Sequence, residues 1–184
     1  MTIMTLDGFP TASGAGVIGT LFKFLTSPFQ VQSFTSSQFI LKGPFANSGT
    51  LTINGSGLTY GDSLTNLLTG GTITSLTLQD AEGRSLQASG ISMSALQAYN
   101  TVKTNDSSAF FALFQGDQTS NITGRLPPNS HETVEAAGGS GNDTFNFSGN
   151  SFAKGSIAIN GGSGFDTLNL LAGLAGTLDP ANSY

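Results

Sequence analysis

A nine-residue phrase that occurs twice near the end of the chain constrains the fold more than any other feature. "GGSGNDTFN" occupies residues 138–146 and "GGSGFDTLN" occupies residues 161–169, so the copies begin 23 residues apart. In each copy the glycines permit a tight turn with positive φ. One large apolar residue then stands between two polar ones, as in a short strand whose centre faces a core. A repeated turn and strand predicts coils that stack on one another.

The chemistry of the two turns favours a hard cation. Backbone carbonyls and an aspartate carboxylate offer oxygen ligands without nitrogen or sulfur, and Ca²⁺ takes about 6–8 such oxygens. One turn cannot supply that many, whereas two turns stacked in successive coils can. The candidate ligands are the second, third, fourth and sixth residues of each copy: Gly139, Ser140, Gly141, Asp143, Gly162, Ser163, Gly164 and Asp166.

At these residues the chain resembles the RTX family of haemolysin-type calcium-binding proteins, whose nonapeptide pattern is G-G-x-G-x-D-x-U-x, where U is large and apolar. Both copies match every fixed position, with Phe145 and Leu168 as U. The resemblance implies a parallel β-roll with Ca²⁺ between stacked turns. It also implies export by a type I system that leaves no cleaved N-terminal leader. The chain departs from the family in having two full copies, so one or two sites are expected, with Asp117 as a possible extra ligand.

The predicted fold class is mainly β, with a parallel β-roll or β-solenoid at the C-terminal part, preceded by a strand-rich region with one short helical segment. Three segments are expected: an N-terminal apolar or loop segment over 1–33, a strand-rich region over 34–125, and an RTX-like calcium-binding β-roll over 126–184. Runs that alternate apolar and polar residues between glycines predict the strands of the middle region.

The helical segment is predicted over residues 94–116. Its apolar residues recur at helical spacing, and the run Asn105, Asp106, Ser107 is expected to divide it in two. Asp106 or Ser107 would cap the second helix, because a short polar side chain can accept the first free backbone N–H groups.

Composition excludes some partners. The net charge is −5, and the six Lys and Arg residues are scattered, so no basic patch for nucleic acid is expected. The apolar run at residues 16–25 is about half the length that crosses a bilayer and contains a lysine, so no transmembrane segment is expected.

The N-terminus lacks the basic start and apolar run of a secretory signal. With no cysteine available for disulfides, a bound metal is one way to stabilise a secreted chain.

No catalytic set is evident. The chain has one histidine and no G-x-S-x-G nucleophile elbow, and "HETVE" lacks the second histidine of a zinc-protease helix. We therefore expect a non-enzymatic, secreted or cell-surface calcium-binding protein with a structural or matrix role. Self-association is also expected, because the ends of a short stack of strands are open to pairing.

Two alternatives stay open. The chain could be a calcium-dependent secretion or folding module of a larger exoprotein. It could also be a haemophore-like ligand carrier, because the middle zone is similar in rhythm to secreted haem-acquisition haemophores. That resemblance places Tyr60 where such a protein holds its haem tyrosinate. The partner histidines are missing, since the single histidine is His131, and the haem is not carried over.

Overall fold

The computed structural model describes residues 1–7, 16–26, 29–43, 49–61, 68–114, 116–123, 133–148 and 156–170. These residues contain eleven strands and three helices. In chain order they are β1 (Thr2–Asp7), α1 (Gly16–Leu25), β2 (Gln30–Phe34), β3 (Gln38–Lys42), β4 (Thr50–Thr59), β5 (Gly70–Gln79), β6 (Ser85–Ser94), α2 (Ala95–Lys103), α3 (Ser107–Ala112), β7 (Gln118–Thr123), β8 (Thr133–Ala137), β9 (Thr144–Ser148), β10 (Ser156–Asn160) and β11 (Thr167–Leu170).

Nine of these strands form one mixed sheet in the order β11-β9-β7-β1-β6-β5-β4-β3-β2. From β1 to β2 the neighbours are antiparallel. On its other side β1 pairs in parallel with β7, and the parallel pairing continues to β9 and β11. The remaining two strands, β8 and β10, form a separate parallel pair. The N-terminal strand thus joins an antiparallel part of the sheet to a parallel part.

The core lies between one face of this sheet and the helices. In β3 to β6 the apolar side chains of alternating runs are buried, as in strands with one covered face, and register shifts between β4, β5 and β6 interrupt the alternation. Helix α2 packs on β5 and β6, and α1 packs on α3 and β8. The largest side chains that are essentially inaccessible to solvent are Phe39, Phe110, Phe145 and Phe147.

Two helices occupy the zone that was predicted as helical. Helix α2 begins after Ser94, whose hydroxyl accepts a hydrogen bond from the Gln97 backbone N–H at 3.3 Å. Asn105 has a positive φ of 54°, which breaks the helical path. The Asp106 carboxylate then accepts from the Ala109 N–H at 2.9 Å and caps α3.

The mainly β class is confirmed, but the predicted parallel β-roll or β-solenoid is wrong. The strands that follow α3 do not form a roll of their own, because β7 pairs with β1 and so makes the repeat strands one end of the mixed sheet. The physical reason is that β1 has two edges of backbone N–H and C=O groups, and β6 satisfies only one of them.

The expectation of one short helical segment is also wrong, since three helices are described. The N-terminal segment contributes a central strand, β1, and the helix α1. Helix α1 forms because Leu21 and Phe22 bury their side chains against the core, at 0% and 7% exposure. No helix in the described ranges combines the length and apolar character needed to cross a membrane.

Candidate functional site

The two copies of the repeated phrase lie directly on one another. Ser140 and Ser163 pair as a parallel bridge between the two turns. The Gly141 N–H donates to the Ser163 carbonyl at 3.0 Å, and the Ser163 N–H donates to the Gly139 carbonyl at 3.0 Å. Strands β9 and β11 continue the same register beyond the turns. All eight predicted ligand residues are therefore brought together in two adjacent turns.

A third turn, just before β7, lies on the other side of the first copy. The Asp117 carboxylate accepts a hydrogen bond from the Asn142 N–H at 2.9 Å. The Asn142 side-chain oxygen in turn accepts from the Phe165 N–H at 2.9 Å. In each of these two turns, one side-chain oxygen therefore accepts a hydrogen bond from a backbone N–H of the next turn. These hydrogen bonds fix the stacking.

The aspartate that follows in each copy makes a similar hydrogen bond in the opposite direction, so that its carboxylate accepts from the backbone of the preceding turn. The Asp166 carboxylate accepts from the Asp143 N–H at 3.0 Å, and the Asp143 carboxylate accepts from the Gln118 N–H at 2.8 Å. The aspartate at the sixth position of each copy is thus more than a candidate cation ligand. Its hydrogen bond also attaches its own turn to the preceding turn.

The first glycine of each copy is required by the position of the aspartate. A Cβ atom at Gly138 would overlap the Asp143 carboxylate, and a Cβ atom at Gly161 would overlap the Asp166 carboxylate. Each carboxylate thus folds back against the start of its own turn. The motif therefore combines a first glycine with an aspartate at the sixth position, because the carboxylate occupies the space that a side chain of the first residue would fill.

Asp143 differs from the other aspartates of the site in being buried. Its relative exposure is 1%, and its Oδ2 atom has no hydrogen-bond partner. Burial raises the pKa of Asp143 above its ordinary value; the Gln118 N–H opposes this rise, while the charges of Asp166 and Asp117 add to it. A buried carboxylate oxygen without a partner is costly, so this atom calls for a proton or a cation.

Gln118 provides a second buried oxygen without a partner. Its side-chain N–H₂ donates to the Phe114 carbonyl at 2.7 Å and to the Gly138 carbonyl. Its Oε1 atom accepts no hydrogen bond, although the residue is only 3% exposed. Gln118 adjoins Asp143 through the bond between its backbone N–H and the aspartate, so the two unpartnered oxygens belong to neighbouring residues of one stack.

The donor chemistry of this stack fits a hard cation. The two buried side-chain atoms without a hydrogen-bond partner, one on Gln118 and one on Asp143, are both oxygens, the ligand type that Ca²⁺ prefers. No three His, Cys, Asp or Glu side chains come close enough to hold a metal within the described part of the chain. Backbone carbonyls and the Gln118 amide would therefore have to complete a site around Asp143. The carbonyls of Gly139 and Ser163 each accept one N–H, and a carbonyl oxygen has a second lone pair.

Sequence reasoning missed Gln118, Asn142 and a ladder of asparagines. The Asn146 amide donates to the Asn121 side-chain oxygen at 2.9 Å, and the Asn169 amide donates to that of Asn146 at 2.8 Å. The shared asparagine at the ninth position of both copies was the available signal for the ladder. The available signal for Gln118 was its place directly after Asp117, the predicted extra ligand of the turn that precedes the repeats.

Tyr60, which was compared with a haem tyrosinate, is engaged within the protein. Its hydroxyl donates to the Thr35 carbonyl at 2.7 Å, and its ring packs against Phe34 and Phe39. Burial raises the pKa of Tyr60 above its ordinary value. Both features favour the neutral phenol and not the phenolate that a haem iron binds.

Comparison with known proteins gives a distant structural similarity. No protein-family model matches the chain, and no curated protein matches it. The apo structure of the hemophore HasA from Yersinia pestis is similar at 10% sequence identity and a TM-score of 0.41, over 62% of this chain and 88% of that chain. At that TM-score the similarity carries no argument about ligand or function.

Proposed function

We propose that this protein is a non-enzymatic, extracellular calcium-binding protein in which Ca²⁺ binds between the stacked Gly-Asp turns and stabilises them. The observation that carries the proposal is the buried Oδ2 atom of Asp143, which has no hydrogen-bond partner. The match of both turns to the haemolysin-type nonapeptide supports the choice of Ca²⁺.

The residues proposed to hold the ion are those around the first turn. Asp143 would supply the buried carboxylate oxygen, and Gln118 would supply its unpartnered amide oxygen. Backbone carbonyls of the two glycine turns would supply further ligands, as in other calcium loops. Asp166 is exposed at the end of the described stack, so its contribution would be weaker than that of Asp143.

The test is calorimetric titration of the full chain with Ca²⁺ after treatment with EGTA. We expect saturable binding in the wild type and its loss in Asp143→Asn, which keeps the shape of the side chain but removes its charge. The matched control is Asp106→Asn, since asparagine also caps helices and Asp106 lies outside the turns. Equal binding by wild type and Asp143→Asn would refute the proposal.

A structural role follows from where the ion would bind. Ca²⁺ between the turns would brace one end of a nine-stranded sheet, since β7, β9 and β11 all begin at these turns. A calcium-dependent secretion or folding module of a larger exoprotein would use the same site. The two are separated by asking whether Ca²⁺ alters the refolding rate of the chain or only the stability of the folded state.

A further inference from the structure

An apolar cavity lies between the sheet and the helices, apart from the glycine turns. Its volume is about 150 Å³. Its deep wall consists of fully buried side chains of the sheet and α3, among them Phe39, Ile73, Leu76 and Phe110. Protein interiors are normally packed without voids of this size, so an apolar space this large needs an occupant or a reason.

The mouth of the cavity has a different character from its wall. Leu25, Phe29, Tyr99 and Val102 line it and are only partly buried, so the cavity reaches the surface between α1 and α2. Lys103, the last residue of α2, also lines it and is exposed. The Lys103 ammonium lies 5.9 Å from the centre of the Tyr99 ring.

Lys103 provides the charge at this mouth. Among the described residues no carboxylate lies within ion-pair distance of the Lys103 ammonium. The protein as a whole carries a net charge of −5, which makes one positive charge beside an apolar opening a distinctive recognition element. An anionic group above an apolar body is complementary to this arrangement.

We propose that the cavity binds a small amphiphile with a ring-sized apolar body and a single negative head group, the body filling the space between α2 and β5 and the head pairing with Lys103. An engineered cavity of about the same volume, lined by leucine, isoleucine and phenylalanine, binds benzene, which sets the size of the body. The site is independent of the calcium proposal, because none of its lining residues belongs to the glycine turns.

The probes are 3-phenylpropionate and its neutral counterpart 3-phenylpropan-1-ol, each titrated into the full chain by calorimetry and by thermal melting. We expect both to raise the melting temperature with concentration, because a ligand that binds only the folded state stabilises it. The carboxylate should bind more tightly than the alcohol. If neither probe shifts the melting temperature up to its solubility limit, the chain closes the cavity itself and the proposal is overturned.

Two variants test the role of Lys103. Lys103→Gln should weaken binding of 3-phenylpropionate by about two- to fivefold, the effect of one exposed ion pair, and should leave the alcohol unchanged. Lys42→Gln is the matched control, because Lys42 is exposed on β3 next to the buried Leu41 and so lies on the opposite face of the sheet. Equal binding of both probes to wild type, or equal weakening of both by Lys103→Gln, overturns the assignment of an anionic head.

Methionine methyl spectra locate the bound probe. Met93 lines the cavity, whereas Met4 is equally buried in the core but does not line it. With methyl-labelled methionine, binding should shift the Met93 resonance and leave the Met4 resonance in place. A probe that binds without moving the Met93 resonance occupies another site and overturns the proposal.

Discussion

At the scale of single residues, Asp143 is subject to two opposed requirements, one from its hydrogen bond and one from its burial. Its position is needed to accept the Gln118 N–H, yet its other oxygen is buried without a partner. Without a cation, burial makes the charged form of this carboxylate costly, and the pKa of Asp143 is raised above its ordinary value. With a cation the same charge becomes favourable.

This conflict predicts that Asp143→Asn changes the stability of the protein in opposite directions with and without Ca²⁺. In EGTA we expect the variant to be more stable than wild type by about 1 kcal/mol, or ~2–4 °C in melting temperature, because an amide is less costly to bury than a charge. At a Ca²⁺ concentration of about 100 times Kd the wild type gains about 2.7 kcal/mol that the variant lacks.

The measurement is thermal melting of both proteins in EGTA and in Ca²⁺, with Asp106→Asn alongside. A variant that is less stable than wild type by the same amount in both buffers would show that Asp143 acts only through its hydrogen bond. The decisive result is therefore which of the two proteins, wild type or Asp143→Asn, has the higher melting temperature in each buffer, and not the size of the difference.

At the scale of the elements, the stack of turns depends on backbone approaching backbone. Gly139 and Gly162 hold the same position in the two copies and have similar positive φ angles of 97° and 88°. Their surroundings differ. A Cβ atom at Gly139 would lie 3.8 Å from the Gln118 amide nitrogen, whereas one at Gly162 would overlap the Gly139 carbonyl.

This difference predicts unequal effects of the same substitution. Gly139→Ala should cost about 1–2 kcal/mol through the positive φ alone. Gly162→Ala carries a similar backbone cost and should lose about 1–3 kcal/mol more, because the second turn must move away from the first. Chemical denaturation of the two variants in Ca²⁺ measures both values. Equal losses would mean that the turns are not stacked as closely as described.

At the scale of the whole molecule, the sheet ends in two dissimilar strands. Within the described strands β11 pairs with β9 alone, and all four of its residues are exposed. Leu168 and Leu170 are 45% and 46% exposed, and the preceding Phe165 is 89% exposed. An end strand without charge is open to pairing with another chain, and pairing of unlike ends need not close.

We accordingly predict concentration-dependent association in Ca²⁺, because the ion of the proposed function would order the turn before β11. Leu168→Lys should abolish it, since charge on an end strand opposes pairing. The control is Leu96→Lys, because Leu96 is similarly exposed at 43% and lies on α2, which packs on β5 and β6, several strands away from β11 in the sheet. Light scattering over a range of protein concentrations decides the matter, and a monomer of constant size in millimolar Ca²⁺ would contradict the prediction.

Local chemistry was readable from the sequence alone. The glycines and the aspartate of the two copies specify a turn, because glycine tolerates a positive φ and a carboxylate can accept hydrogen bonds from nearby backbone. One apolar residue between two polar ones specifies the short strand that follows. The mainly β class followed from alternation of apolar and polar residues. The division of the helical zone followed from the polar run Asn105, Asp106, Ser107, although only the structure selected Asp106 over Ser107 as the cap.

Only the tertiary structure decided which strands pair and which aspartate is buried. β1 inserts between β6 and β7. Its residues lie about 80 positions from their partners in β6 and still farther from those in β7, and no local pattern encodes that choice of partner. Asp143 and Asp166 stand in nearly identical phrases, yet within the described ranges only Asp143 has a turn on both sides. Burial of Asp143 depends on the turns that surround it and not on its own nine-residue repeat. The sequence therefore identified both aspartates as candidate ligands but could not predict which one is buried.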